Sequence, residues 1–241
     1  MQKKDRYTYE DFLEIIQTLR SENGCPWDRE QTHESLRPCM MEEAAEVLAG
    51  IRILEKTGDY ENLREELGDV LLQVVMHSQI AKEEGFFTME DVVNEVATKM
   101  VRRHPHVFGE ASVDSSSQVL AKWEEIKKQE KEGKTVIESP LREIPIELPA
   151  LARAQKVLKK VDKLYEPQRD YANSVAQLKK LVADLEAEQP GDEKSKVEEI
   201  VGALLMEVSN VSRICKLSQE QILNDCIDNL IDSHEISAKK A

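Results

Sequence analysis

Apolar residues recur every three to four positions through most of the chain, and the breaks between these runs set out a series of helices. Phe12, Ile15, Ile16 and Leu19 form the first run, with Thr8 and Asp11 as a capping signal before it and Asn23-Gly24 at its end. After a loop at Gly24-Cys25-Pro26-Trp27-Asp28, the spacing predicts a second helix over about 38–56, with Pro38 tolerated in its first turn. Thr57-Gly58-Asp59 interrupts the pattern, and Asp59 can cap a third helix that continues to Gly85. Thr88 opens a fourth, stopped after Arg103 by His104-Pro105-His106. Residues 109–117 read as loop, and Ser117 caps a fifth helix that carries Trp123 and Lys127 to about Glu132. Gly, Ser and three prolines between 133 and 149 read as a linker. Helical periodicity then resumes over about 150–165, 171–188, 194–216 and 219–236, with a turn at 189–192, Ser218 as a cap and a frayed last five residues.

Composition argues for helices and excludes an all-β fold, and with the periodicity the expectation is an all-α helical bundle. The 241 residues include only 9 Gly and 8 Pro, and aromatics make up 5%, whereas strand-rich folds spend Gly and Pro on turns and aromatics in strands. The net charge of −14 gives no global footprint for a nucleic-acid polymer or an anionic membrane surface. Cys25, Cys39, Cys215 and Cys226 match neither a CxxC pair nor a zinc knuckle and are expected to be reduced. No apolar h-region opens the chain and no long uncharged stretch occurs, so a cytoplasmic protein is expected.

The second and third helices share one register. Met40, Ala44, Val47, Leu48 and Ile51 line one stripe; Leu63, Leu67, Val70, Leu71 and Val74 repeat it 23 positions later. Glu43 and Glu46, then Glu66 and Asp69, occupy the third and sixth positions after the first residue of each stripe. At ~100° per residue these fall roughly 60° and 120° to the same side of that residue, on the flank of each apolar face. The short connection makes the helices antiparallel, which brings the two flanks together. Four partly desolvated carboxylates repel unless a cation sits among them, and oxygen ligands without His or Cys favour magnesium or manganese over zinc. In so acidic a chain, Glu at helical spacing is also the commonest form of solvated surface. Glu42 points about 160° from the first stripe residue, which leaves three roles open: a group behind the metal ligands, a general base acting through water, or exposed surface.

Glu42-Glu43-Ala44-Ala45-Glu46 followed by Glu66-Leu67-Gly68-Asp69 resembles the EExxE…ExxD signature of the MazG family of all-α nucleoside triphosphate pyrophosphohydrolases. The flanking Cys25-Pro26-Trp27-Asp28, the run Lys99 to Phe108, Trp123-Glu124-Glu125-Ile126-Lys127 and Leu148 to Lys156 are similar to the same family, over about the first 156 residues. The resemblance implies that Glu43, Glu46, Glu66 and Asp69 hold Mg²⁺, with Mn²⁺ as a possible substitute. It also implies that Lys99, Arg103, Trp123 and Lys127 contact a nucleoside triphosphate, cleaved at the α-phosphorus to a monophosphate and pyrophosphate. A homodimer is expected, because each short helical unit needs a partner to cover its remaining apolar side.

A second copy of the pattern lies downstream. Setting Gly68 against Gly202 aligns Leu71, Val74, Ser78, Ile80 and Lys82 with Leu205, Val208, Ser212, Ile214 and Lys216. At the chemical positions, Glu66, Asp69, Lys99 and Arg103 are matched by Ile200, Ala203, Asn229 and Ser233. The expectation is a catalytic unit over 1–132, a linker over 133–149, and a degenerate unit over 150–241 kept for packing or assembly. Two other classes compete. A helical adaptor would use the acids as solubilising surface, and a di-iron carboxylate bundle needs two Glu-x-x-His pairs where only Glu30-x-x-His33 occurs.

Overall fold

The computed structural model describes residues 3–109, 115–131, 139–167, 169–188 and 194–238. Among these residues every regular element is an α-helix: α1 (Tyr9–Leu19), α2 (Pro26–Glu30), α3 (Arg37–Thr57), α4 (Glu61–Glu83), α5 (Met89–Arg103), α6 (Pro105–Phe108), α7 (Ser116–Lys131), α8 (Ala150–Leu164), α9 (Tyr171–Glu186), α10 (Lys194–Ile214) and α11 (Gln219–Ala238). The chain divides into two units, 1–132 and 133–241. Two short helices, α2 and α6, occupy stretches expected to be loop or helix stop. Each is a single turn opened by a proline at its first position, too short to show a period. The turn expected at 189–192 lies outside the described residues.

Local signals place the longer helices. At α1 the Thr8 hydroxyl accepts from the Asp11 amide at 3.2 Å and the Asp11 carboxylate accepts from the Thr8 amide at 3.0 Å; Thr88 and Asp91 form the same reciprocal cap on α5. Asp59, expected as the cap of α4, lies one residue before the cap position, which Tyr60 occupies, and accepts from the Glu61 amide at 2.9 Å. At the far end Gly85 adopts φ +77°, and the Phe86 amide reaches back to the Ala81 carbonyl at 2.9 Å. α7 starts a residue before the expected cap, with the Ser115 hydroxyl accepting from the Gln118 amide at 3.4 Å.

In the first unit α4 is the central element. In its C-terminal half Gln73, Val75, Met76, Ser78, Ile80 and Ala81 are buried, and Val75, Met76 and Ile80 form the core with Ile16 of α1 and Leu36. Each such aliphatic side chain contributes about 1.5–3 kcal/mol through burial. Its N-terminal half packs against α3 as an antiparallel hairpin closed by Gly58, Asp59 and Tyr60. Gly50 sets the approach of the two helices: a Cβ there would lie 2.9 Å from Leu63 Cα and 3.1 Å from Asn62 Oδ1.

Buried Arg20 fixes the connection between α1 and α3. Its Nε and Nη2 donate to the Glu83 carboxylate, and its Nη1 donates to the Asp28 and Gln31 carbonyls at 2.6 and 3.0 Å. Burial would push the Glu83 carboxyl up, but hydrogen bonds from Arg20 and Gln79 and the Arg20 charge outweigh it and hold it below the ordinary carboxylate value. Trp27 is 62% exposed, so Arg20, and not the tryptophan, anchors this loop.

The second unit pairs α9 with α10 and packs α8 against α10. Its centre is polar: Asn210 donates to Ser174 Oγ at 2.9 Å and to the Arg169 carbonyl at 3.0 Å, and accepts from Arg213, which also pairs with Asp162. Residues 139–149, expected to be linker, are held against α8, with Ile144 buried and Lys160 bonded to the Pro140 carbonyl and to Glu143. Some features recur in both units. Gln73, Val75, Met76 and Ser78 are buried, as are Glu207, Ser209, Asn210 and Ser212 at the positions the sequence alignment pairs with them. Ser78 and Ser212 each donate to the carbonyl four residues back, at 2.8 and 2.9 Å. Lys216, with φ +57°, ends α10 as Gly85 ends α4.

Candidate active site

Two groups of chemistry-bearing residues assemble in the first unit. The first lies on the α3–α4 hairpin, N-terminal to the packed core. Glu43, Glu46 and Glu66 each place a carboxylate oxygen within 4.8 Å of the others. Asp69 stands outside that set but close enough for its charge to act on Glu43. The Glu43 carboxyl is pushed up by desolvation, then by the charges of Asp69 and Glu46, a side-chain hydrogen bond with Glu46 and the Glu66 charge; Glu66 is pushed up by desolvation and the Glu46 charge, opposed by a hydrogen bond from Asn62. This mutual repulsion is what a cation among the oxygens would relieve. An all-carboxylate donor set is the type that hard divalent ions accept. Glu42 is exposed and lies outside the set.

The second group joins α5 to α7. Arg103 donates to Glu130 through Nε at 3.2 Å and Nη2 at 2.6 Å, and Arg102 binds the same carboxylate at 2.6 Å. Hydrogen bonds from Arg103, reinforced by those from Arg102 and by both positive charges, overcome desolvation and hold Glu130 at about 2. The Arg103 guanidinium carbon lies 5.7 Å from the Trp123 ring centroid, and Lys127 Nζ lies 3.8 Å from it. The Trp123 indole N–H is buried without a hydrogen-bond acceptor. Lys99 is half-buried on α5, one turn before Arg103. No hydrogen bond or ion pair joins the two groups among the described residues.

Glu130 was not singled out from the sequence. It falls in a run of lysines and acids that reads as solvated surface, although it lies seven residues after Trp123 and three after Lys127, on the same helix face. His33, whose Glu30-x-x-His33 spacing raised the di-iron alternative, instead hydrogen bonds through Nδ1 to His77 Nδ1 at 2.8 Å. All four cysteines are unpaired. No helix among the described residues is long and apolar enough to cross a membrane.

A helical hairpin with carboxylates clustered along its flank defines an all-α protein with an acidic site. The MazG nucleotide pyrophosphohydrolase domain matches residues 31–108, which span both acidic motifs and all of α5. Across 228 residues the chain is 40% identical to the nucleoside triphosphate pyrophosphohydrolase/pyrophosphatase MazG of Thermotoga maritima, covering 93% of this chain and 83% of that one. It is 41% identical over 216 residues to the nucleoside triphosphate pyrophosphohydrolase of Escherichia coli strain K12, covering 83% of this chain and 76% of the relative. It is also 48% identical over 160 residues to the uncharacterized protein YabN of Bacillus subtilis, covering 65% of this chain but only 32% of that longer one. The chain belongs to the MazG family, a family of nucleotide pyrophosphohydrolase enzymes.

Proposed function

We propose that this chain hydrolyses nucleoside triphosphates to a nucleoside monophosphate and pyrophosphate, with a divalent ion, Mg²⁺ or Mn²⁺, held by Glu43, Glu46, Glu66 and Asp69. The observation that carries the reading is the convergence of Glu43, Glu46 and Glu66 within 4.8 Å on one helical hairpin. Family membership and the names of the Thermotoga and E. coli relatives support the substrate class. The bound ion supplies neutralisation of phosphate charge and acidification of a water molecule near the α-phosphorus. The carboxylates hold that ion at the hairpin flank, where the close approach at Gly50 makes their spacing rigid.

Lys99, Arg103 and Lys127 provide positive charge for the phosphates, and Glu130 fixes the orientation of Arg103. The Trp123 ring offers a stacking face for the base; using the face covered by Lys127 requires that ammonium to swing away. Large apolar residues on the two site helices remain exposed, Leu48 at 68% and Leu67 at 53%, with Met41, Ile51 and Leu71 beside them. This exposed apolar surface supports the homodimer reading, in which a second copy of the chain would cover it. The second unit keeps the burial pattern of α4 in α10 but has Ile200 and Ala203 where the first has Glu66 and Asp69, which supports its role as a degenerate copy without catalysis.

The test is product identity. Incubation with a panel of nucleoside triphosphates and Mg²⁺ should release pyrophosphate and monophosphate in equal amounts, and EDTA should stop it. Release of orthophosphate and a diphosphate would contradict the reading.

A further inference from the structure

Glu43 and Glu46 share a hydrogen bond, but the Glu66 carboxylate meets the other acids only as like charges, so another group must aim it. Among the described residues, one side-chain donor outside the set reaches any of the four: Asn62 Nδ2 donates to Glu66 Oε1 at 2.8 Å. The two residues lie four apart on α4, one turn from each other on the same helix face. An amide facing a carboxylate must present its N–H, since its oxygen would meet another acceptor. The opposite end of the same amide is confined from across the hairpin. Asn62 Oδ1 lies beside Gly50 of α3, so close that a Cβ at position 50 would sit 3.1 Å from it. Asn62 is half-buried, and with α3 backbone on one side and Glu66 on the other its amide is held in one orientation.

We propose that Asn62 is a positioning residue for the metal site, locking the Glu66 carboxylate toward Glu43 and Glu46 from a seat fixed by Gly50. The proposal rests on the metal reading of the carboxylates. Asn62 needs no contact with the ion. Its amide removes one freedom of the Glu66 side chain and adds a neutral donor from outside the carboxylate set. Partners that orient ligands in this way change metal affinity by roughly 10–100-fold when removed.

Mn²⁺ binding to the substrate-free full chain, followed by electron paramagnetic resonance of the free ion, separates the possible outcomes. The unsubstituted chain should bind Mn²⁺ at a site lost in Glu66→Gln. Asn62→Ala should weaken that site by about tenfold or more. The metal-free variant should melt within a few degrees of the parent, because the amide packs against a helix flank outside the core. Asn62→Gln, which keeps the amide on a longer arm, should recover part of the lost affinity. In the Glu66→Gln background, adding Asn62→Ala should change nothing further. Absence of Mn²⁺ binding by the unsubstituted chain would overturn the metal reading itself. Binding by the parent that Asn62→Ala leaves within twofold, or a loss that Asn62→Gln does not reduce, would overturn only the role of Asn62.

Discussion

Glu130 accepts from Arg103 through both carboxylate oxygens, across 27 residues of sequence, with both side chains at most 17% exposed. The pair fastens α7, and with it Trp123 and Lys127, to the end of α5. Because the pair holds the Glu130 carboxyl down at about 2 against an ordinary 4.5, its contribution is complete above pH 4.5 and disappears as pH falls toward 2. Acid should therefore release α7. In a Trp27→Phe background, Trp123 fluorescence should shift to longer wavelength between pH 4.5 and 2, and Glu130→Gln should produce the shifted spectrum at neutral pH. A Trp123 spectrum unchanged down to pH 2 would contradict the fastening role.

Neighbouring acids should separate cleanly. Glu43→Gln removes a carboxylate from the close set and should lose metal-dependent thermal stabilisation together with at least about 100-fold in turnover. Glu42→Gln changes an exposed group outside the set and should retain metal binding within about twofold. A calorimetric titration with Mn²⁺ reads both, and equal losses at the two positions would refute the assignment of Glu43.

Two glycines of the site hairpin should respond in opposite directions. Gly50→Ala forces a Cβ against Leu63 Cα at 2.9 Å and should destabilise the first unit by about 1–3 kcal/mol. At Gly68 a Cβ meets nothing within 4 Å, and Gly68→Ala should stabilise the helix by up to about 1 kcal/mol. Thermal unfolding followed by circular dichroism compares them, and a neutral Gly50→Ala would remove the close approach as the device that sets the hairpin spacing.

The exposed apolar face predicts an assembly. Leu48→Glu places a charge at its centre and should shift the chain from dimer to monomer in sedimentation velocity, with helical content unchanged. A parent protein that sediments as a monomer at micromolar concentration would contradict the second-copy reading.

Most of the helical order could be read from local chemistry. Thr8 with Asp11, Thr88 with Asp91, Asp59 and Gly85 all act at helix ends as their residue types require, because capping involves only a few adjacent residues. The carboxylate convergence was legible in part: the matched registers and the three-residue connection bring Glu43, Glu46 and Glu66 together, but Asp69 stands outside that set, and Leu48, Ile51, Leu67 and Leu71, read from the sequence as parts of two facing stripes, are exposed. What escaped the sequence depends on distant pairing. Arg20 and Glu83 are 63 residues apart, and His33 and His77 are 44 apart; no periodicity announces either pair. Glu130 and Asn62 escaped because their types are common at surfaces, and only their partners distinguish them. α2 and α6 are single turns, below the length at which a helical period can be recognised.

The central claim is that water attacks the α-phosphorus of a nucleoside triphosphate under the control of the α3–α4 carboxylates. Hydrolysis in ¹⁸O-labelled water with Mg²⁺, with products resolved by mass spectrometry, tests this most directly. The account predicts one ¹⁸O in the nucleoside monophosphate, none in the pyrophosphate, and no labelled product from Glu43→Gln. Label in the pyrophosphate or in orthophosphate, or undiminished labelling by Glu43→Gln, would contradict it.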